Sequence, residues 1–266
     1  MNQVSLLAAA DPMAHVEDGV LDFFPGGWEI GFGKHTFMFI LAGLLTLLFF
    51  WGYARNAGKQ RVPSRYGIFV ESVVCFIRDQ AVRPFLGVHG DRYLPVLVSF
   101  FVYILMCNLL GLIPLFDFIS HGGNTATASI AVTAALAMCA LVYYHTMGIM
   151  EQGLGPYIKN LFPHVPILLL PLIIVVELAA HLVRPCALAI RLFANMFAGH
   201  TMMAIVLGFT AVWTKDFFVT GAVVSVVSFL AATALTFLEL LVALIQAFVF
   251  TFLTTVFLAG AVHPDH

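Results

Sequence analysis

Two long apolar stretches, at residues 165–212 and 217–262, dominate the C-terminal part of the sequence. As a single α-helix each would be roughly 70 Å long, whereas the hydrocarbon core of a bilayer is about 30 Å thick. Each stretch is therefore either two membrane spans or one helix inclined far beyond the usual tilt of about 20°. The second stretch contains no proline and no cluster of turn residues, which favours one long helix there.

The composition of the whole chain also requires lipid as its solvent. Of the 266 residues, 61% are hydrophobic and only 10% are charged, whereas soluble domains carry about 25% charged residues. The net charge of −2 and the lack of a basic stripe argue against a nucleic-acid partner. The four cysteines are scattered singly and are expected to be small apolar residues. No motif predicts a cofactor or a metal ion.

Three segments before residue 165 complete the predicted architecture. Residues 36–53 form a first span, and residues 94–147 form a hairpin of two spans. Between them, residues 66–85 are too polar to span, but their polar residues recur at helical spacing, which predicts an amphipathic helix along the membrane surface. We therefore predict a single membrane domain, an all-α polytopic membrane protein with about five membrane helices and one surface helix.

The distribution of basic residues predicts the orientation of the chain. Seven of its twelve cations lie between the first span and the hairpin. They are Arg55, Lys59, Arg61, Arg65, Arg78, Arg83 and Arg92. The positive-inside rule places this segment in the cytoplasm and the N-terminal segment, residues 1–35, outside. An odd number of crossings then places the C-terminus in the cytoplasm.

Six ionisable residues interrupt the two long stretches. They are Glu177, His181, Arg184, Arg191 and His200 in the first, and Glu239 in the second. A charge at the bilayer centre costs about 2.5–3.5 kcal/mol, and such residues usually mark an ion path. A single one could be a structural ion pair between helices, but six in two stretches favour an ion path. Pro185 removes the helix hydrogen bond to the carbonyl of His181, which predicts a wet cavity beside Glu177.

The spacing of these residues places several on one helix face. Glu177, Arg184 and Arg191 are seven residues apart, so each drifts only about 20° around the helix. Asn195, four residues beyond Arg191, lies on the same side.

An antiparallel hairpin that turns near residues 215–219 has a defined register, because facing residues have a nearly constant sum of residue numbers. Arg191 with Gln246 and His200 with Glu239 have almost the same sum. One register therefore brings arginine to glutamine and histidine to glutamate.

Three motifs carry a resemblance to a known family. The run Arg191–His200 (RLFANMFAGH) closely resembles the signature of subunit a of F-type ATP synthases. The run Gln246–Thr251 (QAFVFT) resembles the second signature of that family, and Asn108–Pro114 (NLLGLIP) resembles a third, weaker one. The order and spacing match from about Phe69 onward, whereas the N-terminal third matches only in pattern.

The resemblance implies a stator with two offset half-channels that carry protons to and from the carboxylates of a rotating c-ring. It implies that the last two helices are long and strongly inclined against that ring. The implied partners are the c-ring, the b subunits of the peripheral stalk, the other subunits of the complex and the lipid bilayer. The implied location is an energy-coupling membrane, the inner (plasma) membrane of a bacterium. The choice between protons and sodium ions depends mainly on the ring, which is another chain.

The resemblance also assigns roles near the arginine signature. Arg191 matches the essential arginine, which attracts the deprotonated carboxylate of the ring and blocks leakage between the half-channels. A guanidinium group keeps its charge, so it can stabilise a carboxylate but cannot relay a proton. Asn195 and Gln246 match positions near that arginine, and Arg184 matches a less demanding basic position.

The resemblance assigns the remaining ionisable residues to the two half-channels. Glu177 matches an acidic position of the cytoplasmic half-channel, and His181 is expected on the same path. His200 and Glu239 match the outer pair, in the reverse order from many bacterial members and in the same order as mitochondrial-type members. One acid and one imidazole remain, so we expect the function to be preserved.

Three other classes of protein fit the sequence less well. A nucleotide enzyme or intramembrane hydrolase needs a motif that is not present; Gly31–His35 looks like the end of a P-loop, but Trp28 replaces its first glycine. A haem protein would have to use His181 and His200, which are nineteen residues apart on one helix. A secondary transporter should contain an internal repeat, and none is evident.

Overall fold

The computed structural model describes residues 34–57, 65–112, 127, 129–161, 170–213 and 218–262. The side chains of several helical residues, among them Glu177, His181 and His200, lie outside this description. The N-terminal segment 1–33 and residues 214–217, at the predicted turn near residues 215–219, lie outside it as well. In the described ranges the regular structure is helical, which confirms the predicted all-α class.

The helices follow the predicted order. They are α1 (Lys34–Ala57), α2 (Arg65–Ile77), α3 (Arg83–Leu86), α4 (Leu94–Leu112), α5 (Ile130–Gln152), α6 (Leu154–Leu161), α7 (Leu170–Trp213) and α8 (Phe218–Val262). Segments long and apolar enough to cross a membrane lie in α1, α4, α5 and α8, and α8 alone supplies 40 residues of this kind. Helix α7 contains the fifth predicted crossing.

Each of the two long apolar stretches forms one long helix. Helix α7 has 44 residues and α8 has 45. Helix α7 continues through Pro185, a residue that removes one backbone hydrogen bond. The alternative of two spans in each stretch is therefore wrong, because neither helix ends near the middle of its stretch.

The predicted surface helix is continuous from residue 65 to residue 86, with one wider turn. A π-helical segment, Arg78–Val82, joins α2 to α3, and the N–H of Arg83 donates to the carbonyl of Arg78, five residues earlier. Pro84 has no N–H, and its ring would crowd the carbonyl four residues before it, so a wider turn relieves this clash. Gly87, with φ of 61°, ends the helix.

The apolar face of this surface helix packs against α8. Val70 and Ile77 are buried. The ring of Phe76 lies 5.3 Å from that of Phe248, centroid to centroid. Phe85 and Phe252 are similarly close, at 5.2 Å. The periodicity that predicted an amphipathic helix therefore also predicts which side of it meets the rest of the chain.

The opposite face of the surface helix carries an exposed charge cluster. Arg78 donates to the carboxylate of Asp79 at 2.9 Å, and this hydrogen bond holds the pKa of Asp79 below its ordinary value. Arg83 lies 3.7 Å from Asp79 and 3.6 Å from Asp91. These exposed pairs contribute little to stability, but they keep this face polar.

The described residues fall into two compact units. One contains Leu105–Val132 and Leu192–Ile245 together with the start of α1, and the other contains Leu44–Ile104, Thr133–Arg191 and the chain from Gln246 onward. In the second unit, Arg92 forms an ion pair with Glu151. This pair joins the segment before α4 to the C-terminal end of α5.

Three helices of the second unit converge on Gly148. A Cβ atom there would lie 2.5 Å from the ring of Tyr157 on α6 and 2.8 Å from the carbonyl oxygen of Ala261 on α8. One turn further along α5, the side-chain amide of Gln152 donates to that same carbonyl at 2.7 Å. The carbonyls of the last helical turn have no partner within their own helix, so Gln152 satisfies one of them.

Gly148→Ala is expected to destabilise the protein by about 1–3 kcal/mol, because the added methyl group overpacks this junction. Gly260→Ala is the matched control, since it is also helical and no heavy atom lies within 4 Å of its added Cβ. The control should be neutral or slightly stabilising, by up to about 1 kcal/mol. Thermal unfolding of the purified protein in detergent measures the difference. Equal midpoints for the two variants would contradict the convergence.

Candidate functional site

A buried carboxyl group lies at the centre of the candidate site. Glu239 is on α8 and is only 7% exposed. Its Oε1 atom is buried and has no hydrogen-bond partner among the described residues. A buried carboxyl oxygen is costly unless a hydrogen bond satisfies it.

Gly199 on α7 lies directly against this carboxyl group. A Cβ atom at position 199 would overlap the carboxyl group of Glu239. Glycine therefore lets the backbone of α7 approach the carboxyl group as it stands, whereas a larger residue would require the Glu239 side chain to shift. The register predicted for His200 and Glu239 agrees with this contact to within one residue.

Gly199 is a site residue that our sequence analysis did not single out. It lies in the Arg191–His200 signature, but within that signature roles were predicted only for Arg191, Asn195 and His200. The signal was present, because the same constant sum of residue numbers places Gly199 opposite Glu239. Small residues at such positions are typical of close helix contacts in membranes.

A cavity of about 210 Å³ opens beside the carboxyl group. Its lining comes from α7 and α8. The residues are Asn195, Ala198, Gly199 and Met202 from α7, and Leu235, Leu238, Glu239 and Val242 from α8. The cavity volume exceeds the roughly 10–15 Å³ that one water needs, and its polar partners come from Asn195 and Glu239, since the rest of the lining is apolar. Its polar side chains, Asn195 and Glu239, are two of the predicted path residues.

A hydrogen-bonded bridge reaches α8 from α4. Thr127 donates to the side-chain oxygen of Asn108 at 2.8 Å. The side-chain amide of Asn108 in turn donates to the backbone carbonyl of Ala243 at 3.4 Å. All three residues are completely buried. We call this set the Asn108 bridge; it belongs to the same unit as the cavity.

The other predicted site residues lie along the same two helices. Gln246 is 3% exposed and lies two turns beyond Glu239 on α8. Arg191 is exposed on α7, one turn before Asn195. The pairing of Arg191 with Gln246 stays a prediction.

Arg184 makes a contact of a different kind. Its guanidinium group lies 5.5 Å above the centroid of the Phe257 ring on α8. This cation–π contact gives Arg184 a packing role between α7 and α8. Glu177, His181 and His200 lie on α7, with side chains outside the described residues, so their roles stay predictions. Among the described residues, no group of three or more metal-ligating side chains comes together.

Comparison with known proteins identifies the family of this chain. The family model described as ATP synthase A chain matches residues 36–259. The chain is 32% identical to ATP synthase subunit a of Maricaulis maris over 98% of its length and all of that protein. It is 36% identical to the subunit a of Myxococcus xanthus, over 97% of this chain and 84% of that protein. It is also 36% identical to the subunit a of Sphingopyxis alaskensis, over 95% and 96% respectively.

The matched region contains the helices that hold Asn108, Gly199 and Glu239, and the relatives align over nearly the whole chain. The chain belongs to the ATP synthase A chain family.

Proposed function

We propose that this chain is the ion-translocating stator subunit of an F-type ATP synthase, and that it carries protons to and from the carboxylates of a rotating c-ring. The observation that carries the proposal is the carboxyl group of Glu239, buried against Gly199 within the family signature and open to a cavity. A membrane protein tolerates such a group mainly where it serves transport.

Arg191 is the residue that meets the ring in this proposal. Its exposure on α7 supports that role, because a guanidinium available at the helix surface can pair with a carboxylate of another chain. The same fixed charge repels protons and so separates the two half-channels. Large apolar side chains exposed on α8, among them Phe237 and Leu241, provide a surface for an apolar partner.

Glu239 and His200 form the outer proton relay in this proposal. Imidazole exchanges protons near neutral pH, and a carboxyl group in a cavity can exchange them with water. Asn195 lies on the cavity wall between this pair and Arg191 along α7. Glu177 and His181 line the cytoplasmic half-channel, and Gln246 lies near Arg191.

The protein is a multi-pass membrane protein, and the finer placement is part of the proposal. We propose that the N-terminus is outside and the C-terminus in the cytoplasm, because the cations cluster after the first span. The membrane is the inner membrane of a bacterium. The partners are the c-ring and the b subunits of the peripheral stalk.

Arg191→Lys is expected to abolish ATP-driven proton pumping, because an ammonium group is a compact charge that loses its proton more readily when desolvated. Arg191→Ala should fail for lack of any charge. Arg184→Lys is the matched control on the same helix, and it should keep flux within about twofold, since lysine retains a cation above Phe257. Dye quenching in inverted membrane vesicles measures the flux. Normal pumping by either Arg191 variant refutes the assignment.

Exchange of the two relay residues tests whether they work as a pair. His200→Glu alone leaves two acids and Glu239→His alone leaves two imidazoles, so each should lower proton flux by about a hundredfold, the usual contribution of a proton-transfer group. The double variant restores one group of each kind. Because coupled residues are not additive, it should recover about tenfold or more over either single variant.

The same vesicles and quenching assay serve for this exchange, with the amount of assembled complex checked by immunoblot. A double variant no better than the worse single variant would show that His200 and Glu239 act independently.

A further inference from the structure

Asn108 is a buried polar residue to which the proposed proton path assigns no role. It lies in the apolar helix α4 with no exposed surface, and burial of an amide is favourable only when its hydrogen bonds are made. The hydroxyl of Thr127 donates to the side-chain oxygen of Asn108 at 2.8 Å. The side-chain N–H groups of Asn108 are therefore directed at the carbonyl oxygen of Ala243, 3.4 Å away. Thr127 therefore orients the amide and Asn108 makes the contact with α8.

The acceptor of this contact is a backbone atom inside a helix. A helical carbonyl such as that of Ala243 accepts one bond from the residue four positions later, and its second lone pair remains for a side-chain donor. Ala243 and Ala247 are small and fully buried, which permits close approach of a neighbouring helix.

The contact lies on the face of α8 that carries the path residues. Ala243 is four residues after Glu239 and three before Gln246, and residues at these spacings share a helix face. Glu239, Ala243 and Gln246 are all at most 7% exposed. The amide of Asn108 therefore contacts α8 at a position between Glu239 and Gln246, the two proposed path residues on that helix.

We propose that Asn108 is a positioning residue which, oriented by Thr127, fixes the rotation of α8 about its axis and so holds the carboxyl group of Glu239 against Gly199. The inference rests on the proposed function. An apolar contact would fill the same space but has no direction, whereas a hydrogen bond to one carbonyl defines an angle.

A small rotation of α8 would have a large effect. A turn of about 20° moves a group at the helix surface, about 6 Å from the axis, by about 2 Å. Displacements of about 1 Å can cost about a hundredfold in rate when groups must be aligned for transfer. The bridge is therefore expected to control the flux through Glu239 without touching the proton.

The test uses inverted membrane vesicles that contain the whole complex, with ATP-driven proton pumping measured as a function of pH. Thr127→Val keeps the size of the side chain and removes the hydroxyl group. Thr127→Ser retains the hydroxyl group. Thr254→Val is the matched control, because Thr254 is equally buried and its hydroxyl donates within α8, to the carbonyl of Phe250 at 2.9 Å, rather than to another of the described helices. Asn108→Leu removes the bridge itself.

Thr127→Val and Asn108→Leu should each lower flux per assembled complex by about tenfold to a hundredfold, because a displacement of about 1 Å can cost about a hundredfold in rate. The pH of half-maximal flux should move by about half a unit or more, because the surroundings of the relay carboxyl change. The double variant should be no worse than Asn108→Leu alone. Thr127→Ser should restore both flux and pH profile, and Thr254→Val should leave both unchanged.

Three results would overturn the inference. One is a loss of flux with an unchanged pH profile, which indicates a purely structural role. Another is normal flux in Thr127→Val together with a loss in Asn108→Leu, which indicates that Asn108 acts on the proton directly. The third is normal flux in both variants. Failure of the proposed function is recognised separately, since Glu239→Gln would then pump normally.

Discussion

A carboxyl group buried in an apolar helix is the constraint on which the rest of this structure depends. Placing Glu239 at membrane depth carries a cost of a few kcal/mol. Around the carboxyl group lie a cavity, a polar neighbour, Asn195, on the cavity wall, and the closely approaching backbone of α7 at Gly199.

The helices around Glu239 are built from residues that permit this arrangement. Long uninterrupted helices place a few polar residues at fixed intervals on one face, and small residues let neighbouring backbones approach. Gly199 permits the approach on α7, and Ala243 permits it on α8, where the amide of Asn108 adds direction. Arg184 contributes differently, since its charge lies above the ring of Phe257 and helps α7 to pack against α8.

Much of this fold could be predicted from the sequence, because apolar and polar residues repeat at regular spacing along its helices. Apolar run length left two spans or one long helix open for each stretch. The lack of proline favoured one helix in the second stretch, and the family resemblance implied long helices in both, as observed. Helical spacing predicted the surface helix, whose Ile77 is buried. The nearly constant sum of residue numbers predicted that the Arg191–His200 signature on α7 approaches Glu239 on α8. The Asn108 bridge could not be predicted, since Thr127 follows a turn-rich segment and no regular residue spacing indicates its contact with Asn108. The π-helical turn at Arg78–Val82 was also missed, although Pro84 gave a local physical signal for it.

The close approach of α7 to the buried carboxyl group is the central claim, and Gly199→Ala tests it most directly. The added methyl group must displace the carboxyl group of Glu239, so proton flux per assembled complex in membrane vesicles should fall about tenfold or more. Shortening the acid in the same chain, with Glu239→Asp added to Gly199→Ala, should recover part of that loss. Gly260→Ala, which adds the same methyl group into open space, should leave flux unchanged. Wild-type flux in Gly199→Ala would contradict the account.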